Sequence, residues 1–378
     1  MRGINDHRKL LCVVGTRPEG IKMAPVIRQL RSEGWADVRV MATAQHREML
    51  DQVLAQFEIL VDIDLDIMQV GQSLASLTAR MIEKVNQVLG DEAPDLVIAQ
   101  GDTTTVFAIA LCCFYREIPF AHVEAGLRTH DRKSPFPEEM NRVVASYLAD
   151  LHFAPTARAR DNLLKEGVEP DRVMVTGNTV IDALFHQSAR NADIDLPIQT
   201  DKRLILVTVH RRESFGKPLG SICDALLELC SRRDDIEFLL PVHPNPIVSG
   251  TIRSRLTDQR GIVLCNPLDY AQFVGALKRA YIILTDSGGV QEEAPALGKP
   301  VLVLRAETER PEAIEAGVAR LVGMQCDQIV DAVTELLDNP ASYGRMVQGG
   351  SPFGDGHAAP RISHALKSFL LAQGQNAG

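Results

Sequence analysis

Short, continuous apolar runs rich in Val, Ile and Leu recur along the whole chain, and stretches of helical period separate most of them. In the first half they are LLCVV (10–14), VRVMA (38–42), DLVIA (95–99), FAHV (120–123), LHFAP (151–155) and VMVTG (173–177). A second series follows with LILVTV (204–209), IEFLLPV (236–242), IVLCN (262–266), YIILT (281–285), VLVLR (301–305) and ARLVG (319–323). Runs that do not alternate apolar with polar belong to strands covered on both faces. The intervening segments read as helices: KMAPVIRQLRSEG stops at Gly34, while SICDALLELCSRR and QIVDAVTELLDN carry a 3.6-residue period. Strand–helix alternation of this kind builds parallel sheets. Two series of about six strands predict an α/β chain of two doubly wound, Rossmann-like domains facing a cleft. The expected division is 1–180 and 181–361, with a helix at about 362–378 packing back on the first domain. The polar stretch around Asn191–Lys202 reads as the linker region.

Of the 378 residues, 45% are hydrophobic and 24% charged, enough for two cores, and the net charge is −9. That balance argues against a broad nucleic-acid surface, so an anionic ligand needs a local cluster of Arg and Lys. The seven cysteines show no CxxC pair and no zinc spacing, which suits a reducing compartment. The N-terminal MRGINDHRKL is polar and the apolar run after it is short, unlike a signal peptide. The longest apolar run, Val106–Tyr115, reads as a buried helix rather than a membrane span, with Cys112 and Cys113 as core. A cytoplasmic protein without membrane insertion is the expectation.

In open parallel sheets, ligands bind beyond the carboxyl ends of the strands. The residues found there are GTRPE (15–19), TAQHRE (43–48), QGDTTT (100–105), EAGLRT (124–129), TGNT (176–179), VHRRES (209–214), PVHPNP (241–246), DSGG (286–289) and ETERPE (307–312). Ser287, Gly288 and Gly289 stand where a helix should begin. Its free N–H groups suit a phosphate, although a tight turn capped by Ser287 reads equally well. Gly15–Thr16–Arg17 carries the same ambiguity. Arg17, Arg211 and Arg310 lie in comparable loops and can supply fixed positive charge to a diphosphate.

The carboxylates in these loops are Asp102, Glu124, Glu138 and Glu139. Asp102 either caps the helix after it or does chemistry. Glu124 directly follows a strand, where an acid can serve as general acid or base. Glu138 and Glu139 follow Pro137, so matching of the helix dipole competes with a catalytic role. His210 ends a strand ahead of two arginines and suits either proton transfer or a structural bond. No GxGxxG, Walker A, HExxH or GxSxG pattern occurs, so neither a tightly bound NAD nor a metal is expected.

Taken together, GTRPE-x-IKMAP, TAQHREMLDQVL, GDTTT, HVEAGLRT, PEEMNR, TGNTVIDAL, HRRESFG, PVHPNP, LTDSGGVQEEAP-x-LGKPVLV and TERPEA resemble the non-hydrolysing UDP-N-acetylglucosamine 2-epimerases, from about residue 10 to 360. The resemblance implies a GT-B type fold, a UDP-sugar substrate, a homodimer and no cofactor. It implies inversion at sugar C2 by elimination of UDP and re-addition to 2-acetamidoglucal, in the service of cell-envelope polysaccharide. By the same resemblance Asp102, Glu124, Glu138 and His210 are catalytic, and Arg17, Lys22, Phe273, Ser287, Gly288, Gly289, Glu293 and Arg310 bind UDP. Gln45, His46, Arg211 and His243 are the candidates for an activating second UDP-sugar. Two departures stand out: Gln100 where relatives often have His before GDTTT, and RKSPFPEE, with Arg132, Lys133 and Phe136, where relatives often have LYSPWPEE. The added cations leave a UDP-2,3-diacetamido-uronic acid open as the substrate, and a GT-B glycosyltransferase is the rival from another class.

Overall fold

A computed structural model describes residues 8–43, 47–68, 71–190, 196–198 and 201–376. The chain divides into two compact units, Met1–Ala183 with Gly354–Gly378, and Leu184–Phe353. The first contains β1 (Arg8–Val14), α1 (Arg17–Glu33), β2 (Ala36–Ala42), α2 (Arg47–Gln56), β3 (Ile63–Asp64), α3 (Leu74–Glu92), β4 (Leu96–Gln100), α4 (Thr104–Tyr115), β5 (Phe120–Val123), α5 (Glu138–Leu148), β6 (Leu151–Ala154), α6 (Ala157–Lys165) and β7 (Val173–Val175). α7 (Thr179–Arg190) carries the chain across the division. The second unit contains β8 (Arg203–Thr208), α8 (Lys217–Arg232), β9 (Ile236–Pro241), α9 (Pro246–Leu256), β10 (Ile262–Cys265), α10 (Tyr270–Arg279), β11 (Ala280–Thr285), α11 (Gly288–Ala296), β12 (Val301–Val303), α12 (Pro311–Glu315), β13 (Ala319–Leu321), α13 (Cys326–Asp338) and α14 (Pro340–Gln348). α15 (Ala358–Asn376) returns to the first unit and packs on α1. Of the polar stretch at 191–202, residues 191–195 and 199–200 lie outside the described residues.

The first sheet has seven strands in the order β3-β2-β1-β4-β5-β6-β7, and the second has six in the order β10-β9-β8-β11-β12-β13. Every pair is parallel, with registers such as Val13↔Ala99 between β1 and β4 and Thr285↔Thr208 between β11 and β8. All twelve apolar runs named above contribute strands; the two-residue β3 is the strand that no run announced. In each sheet the order reverses beside the first strand laid down, β1 or β8. Adjacent connections there leave to opposite faces, which opens a crevice at the carboxyl edge. The crevice of the first unit is framed by Gly15 and Gln100, that of the second by Val209 and Asp286.

Sequence chemistry sets these elements locally. Thr16 caps α1 and Glu19 returns the bond to the cap backbone, a reciprocal capping box, and Gly34 ends the helix at φ 65°. α4 buries Cys112 and Cys113 completely, but its last residues Phe114 and Tyr115 stay 62% and 66% exposed, so the run is not core to its end. The core of the first unit gathers Leu11, Val13, Val97 and Phe120 with α3 and α4, and that of the second gathers Val207, Phe238, Leu240 and Leu284 with α8 and α13. Among the described residues no helix is long and apolar enough to cross a membrane.

Candidate active site

At the crevice of the first unit, Gly15 is packed against hydroxyls. A Cβ built on it would lie 2.6 Å from Thr43 Oγ1 and 2.7 Å from Thr105 Oγ1, closer than real contacts allow. Glu19 Oε2 accepts from the N–H of Gly15 (2.5 Å) and of Thr16 (2.8 Å), and Thr103 Oγ1 donates to Glu19 Oε1. The N–H groups that read as a possible phosphate seat are thus occupied by the chain's own buried carboxyl, which corrects that reading. Burial pushes Glu19 up to about 7 against these bonds, and Asp102 adds to the rise.

Asp102 follows directly, but the cap of α4 is Thr103, whose side chain accepts from Val106 N. Asp102 is therefore not a cap. Its carboxylate is paired with Arg142, and Asn141 Nδ2 donates to its carbonyl oxygen at 2.9 Å. Burial raises its pKa, Arg142 opposes the rise and Glu124 adds to it. α5 separates the two neighbouring glutamates. Glu139 is buried, accepts from the N–H of Thr129 and His130, and meets Arg142 at 3.3 Å, a structural duty. Glu138 remains partly open in the first turn, with Pro137 at the cap position rather than inside the helix.

Glu124 leaves β5 at φ 62°, a left-handed conformation that costs a non-glycine residue on the order of 1 kcal/mol. That turn delivers its carboxylate into a shell of donors. Lys22 Nζ lies 2.5 and 2.7 Å from its two oxygens, Asn178 Nδ2 donates to Oε1 at 2.9 Å, and Gln100 Nε2 donates to Oε2. Lys22, expected at UDP, is thus held at the carboxylate of Glu124. Beneath this edge His122 Nε2 sits 2.7 Å from the carbonyl of Gly101, fully buried and pushed down to about 4 by burial. It pairs in register with the equally buried His152.

The second unit presents the start of α11. Ser287 stands at the cap position but makes no side-chain capping bond. A Cβ on Gly288 would lie 3.6 Å from Arg211 Nη2 and 3.9 Å from Arg310 Cζ, so two guanidinium groups converge on one helix N-terminus. Arg310 is pinned by Glu292, and its N–H donates to Thr308 Oγ1. The Arg211 Nε is buried without a protein partner. One turn on, buried Glu293 accepts from the hydroxyl of Tyr270 at 3.0 Å. Phe273 lies three residues beyond Tyr270, on the same side of α10. Helix dipole, glycine and paired arginines form a setting for a diphosphate, and Glu293 an acceptor for sugar hydroxyls.

His210 is exposed at the end of the β8 loop, its ring stacked on His243 with centroids 5.9 Å apart. Arg211 and His243, assigned above to an activating site, therefore lie with His210 and Gly288 in one loop cluster of this unit. Gln45 and His46 lie outside the described residues. The groups that sequence reasoning missed are those behind the front row: Asn178, Arg142, Asn141, Tyr270, Glu292 and Asp286. TGNT and PEEMNR contain three of them, and the polar residue beside each acid was the available signal.

Two doubly wound parallel sheets, each with its polar groups at the crossover edge, define a protein of the GT-B class. The family follows from likeness to known proteins. Residues 28–367 match the family model described as UDP-N-acetylglucosamine 2-epimerase. The UDP-N-acetylglucosamine 2-epimerase of Yersinia pestis is 50% identical over 96% of this chain and 99% of its own length. A putative UDP-N-acetylglucosamine 2-epimerase structure from Listeria monocytogenes superposes with a TM-score of 0.91 at 46% identity, covering 97% of this chain and 98% of that one. The UDP-GlcNAc 2-epimerase of Neisseria meningitidis, solved bound to UDP-GlcNAc, gives a TM-score of 0.88 at 46% identity over 95% of this chain and 100% of that one. The chain belongs to the UDP-N-acetylglucosamine 2-epimerase family, and it is an isomerase.

Proposed function

We propose that this enzyme interconverts UDP-N-acetylglucosamine and UDP-N-acetylmannosamine by eliminating and re-adding UDP. The C2 hydrogen is not next to a carbonyl, so direct deprotonation is hard. In the elimination, a base takes the C2 proton while the C1–O bond breaks and its electron pair leaves with the diphosphate, giving 2-acetamidoglucal and UDP. Re-addition returns the diphosphate oxygen to C1 and delivers a proton to the opposite face of C2. The observation that carries this reading is the convergence of Arg211 and Arg310 on Gly288 at the start of α11, because a diphosphate that must leave and return needs fixed cations. Ser287, Gly288, Gly289, Arg17 and Arg310 hold the diphosphate in this reading. Glu293 takes the ribose hydroxyls and Phe273 lies against the base. Asp102, Glu124 and Glu138 do the proton chemistry, with His210 beside the leaving group.

The product serves cell-envelope polysaccharide synthesis in the cytoplasm. The enzyme works as a homodimer, for which the exposed aromatics Phe114, Tyr115 and Tyr147 on α4 and α5 offer a face. With Arg211 taken into the diphosphate site, Gln45, His46 and His243 remain the candidates for a second UDP-sugar that acts as activator. One observation favours a second substrate: Arg132 and Lys133 stand exposed ahead of Glu138, where a uronate carboxylate would find cations. Proton NMR with UDP-GlcNAc in D2O tests the reading. UDP-ManNAc deuterated at C2, with transient UDP and glucal, is the expected result. Turnover of the diacetamido-uronate alone would move the substrate assignment, and an absolute need for an acceptor would make the protein a glycosyltransferase.

A further inference from the structure

Asp286 is wholly buried at the end of β11, the last residue before the Ser287–Gly288 turn. Its carboxylate gathers the loop after β8. The N–H groups of His210 and Arg211 each donate to Oδ2 at 2.9 Å, and Ser214 Oγ donates to the same oxygen at 2.8 Å. The ring of His210 completes the set, with Nδ1 3.2 Å from Oδ1. The side chain of His210 is 39% open to solvent, so the ring is not sealed off by this contact. Arg211, whose N–H this carboxylate fixes, is the residue that reaches over Gly288.

We propose that Asp286 is the positioning residue of the site: it holds the proton of neutral His210 on Nδ1, presents a bare Nε2 to the ligand, and sets Arg211 over the helix start. The catalytic part of this inference rests on the reading of His210 as an active-site group; the pairing itself does not. A buried acceptor facing Nδ1 favours the Nδ1–H tautomer, because the other tautomer would set two lone pairs against each other. His243 meets the ring face to face, with centroids 5.9 Å apart, and its own Nδ1 accepts from the N–H of Asn245, so it does not hold the His210 proton. The carboxyl of Asp286 is held below the usual range by His210 and by the N–H and O–H donors despite its burial, so the acceptor stays charged.

Long-range proton–nitrogen NMR on the wild-type protein, with His210→Gln to assign the ring, reads the tautomer directly. The expected result is the Nδ1–H tautomer of the neutral ring; the Nε2–H tautomer overturns the inference without any further variant. Asp286→Asn, close in shape but uncharged, is expected to move the tautomer towards Nε2–H and to lower kcat about a hundredfold. On the His210→Gln background it should cost far less than on the wild type, since it acts largely through that ring. Equal losses on both backgrounds would make Asp286 merely structural. If the wild type carries the Nδ1 proton yet does not epimerise UDP-GlcNAc, the proposed function fails and the pairing stands.

Discussion

At the scale of single residues, the acids of this protein differ by what surrounds them. Glu124 faces donors from Lys22, Gln100 and Asn178, whereas Asp102 shares one arginine with Glu139. Loss of one donor should disturb chemistry more than binding: Gln100→Ala is expected to lower kcat about tenfold to a hundredfold with a smaller change in KM, checked by steady-state kinetics of epimerisation. Glu19 makes a separate prediction. Its folded pKa, about 7, lies above the ordinary 4.5, so the stability it contributes is whole below pH 4.5 and lost as pH rises through 7. Glu19→Gln should therefore gain on the wild type in Tm between pH 5 and 8. Glu19→Ala should cost about 2–3 kcal/mol at pH 4.5 and less as pH rises through 7, because the N–H groups of Gly15 and Thr16 lose their acceptor while the wild type loses what the raised pKa contributes. A constant gap between wild type and Glu19→Gln across that range would sink the assignment. None of this was legible in GTRPE as a string, where Glu19 looked like one more loop charge. Its role needs the closure of the capping box, which depends on where β1 stops.

Elements carry the next set of consequences. A helix of nine residues, α11, offers its first N–H groups beneath two arginines. The space beside Gly288 is open at ordinary contact distance, so an added methyl harms the ligand rather than the fold. Gly288→Ala should leave Tm unchanged or slightly higher, since alanine favours a helix by about 0.5–1 kcal/mol, while UDP affinity falls at least tenfold by calorimetry. An equal loss of stability and affinity would mean the glycine is needed for the turn itself. Strands β5 and β6 make a different prediction through the pair His122 and His152. Burial pushes them down to about 4 and about 3, so both rings should remain neutral, with no proton shift in NMR, from pH 8 to 5. Their contribution to stability is present above the ordinary 6.5 and lost as pH falls through those values. A ring that titrates near 6.5 would contradict the burial. The strands themselves were readable in the sequence because each is a continuous apolar run. β3 escaped because two residues carry no period, and the end of α4 misled because Phe114 and Tyr115 extend an apolar run that the core does not.

For the whole molecule, the sequence motifs give the family and the sheet order explains why they lie where they do: both crossover edges gather the loops after β1, β4, β8 and β11. What stayed hidden were residues acting at one remove, Asn178, Arg142 and Asp286, whose partners are distant in the chain. The homodimer proposed above supplies the prediction at this scale. Phe114→Glu together with Tyr147→Glu should give a monomer by light scattering where the wild type gives a dimer, with the helical circular dichroism retained; a wild-type monomer would overturn the proposal, and a variant that stays dimeric would place the subunit contact elsewhere.

The path of the chain has one more consequence. The first unit is completed by α15, whose Ile362, Leu366 and Leu370 are buried and whose Ser363 donates to Glu33 at the end of α1. A ribosome therefore releases all of residues 184–353 before the segment that covers α1 exists. The second unit, uninterrupted in sequence, can fold while still tethered; the first must wait with an apolar flank uncovered until α15 has been made. A chain stopped between residues 354 and 358 thus carries a finished second unit attached to an unfinished first one.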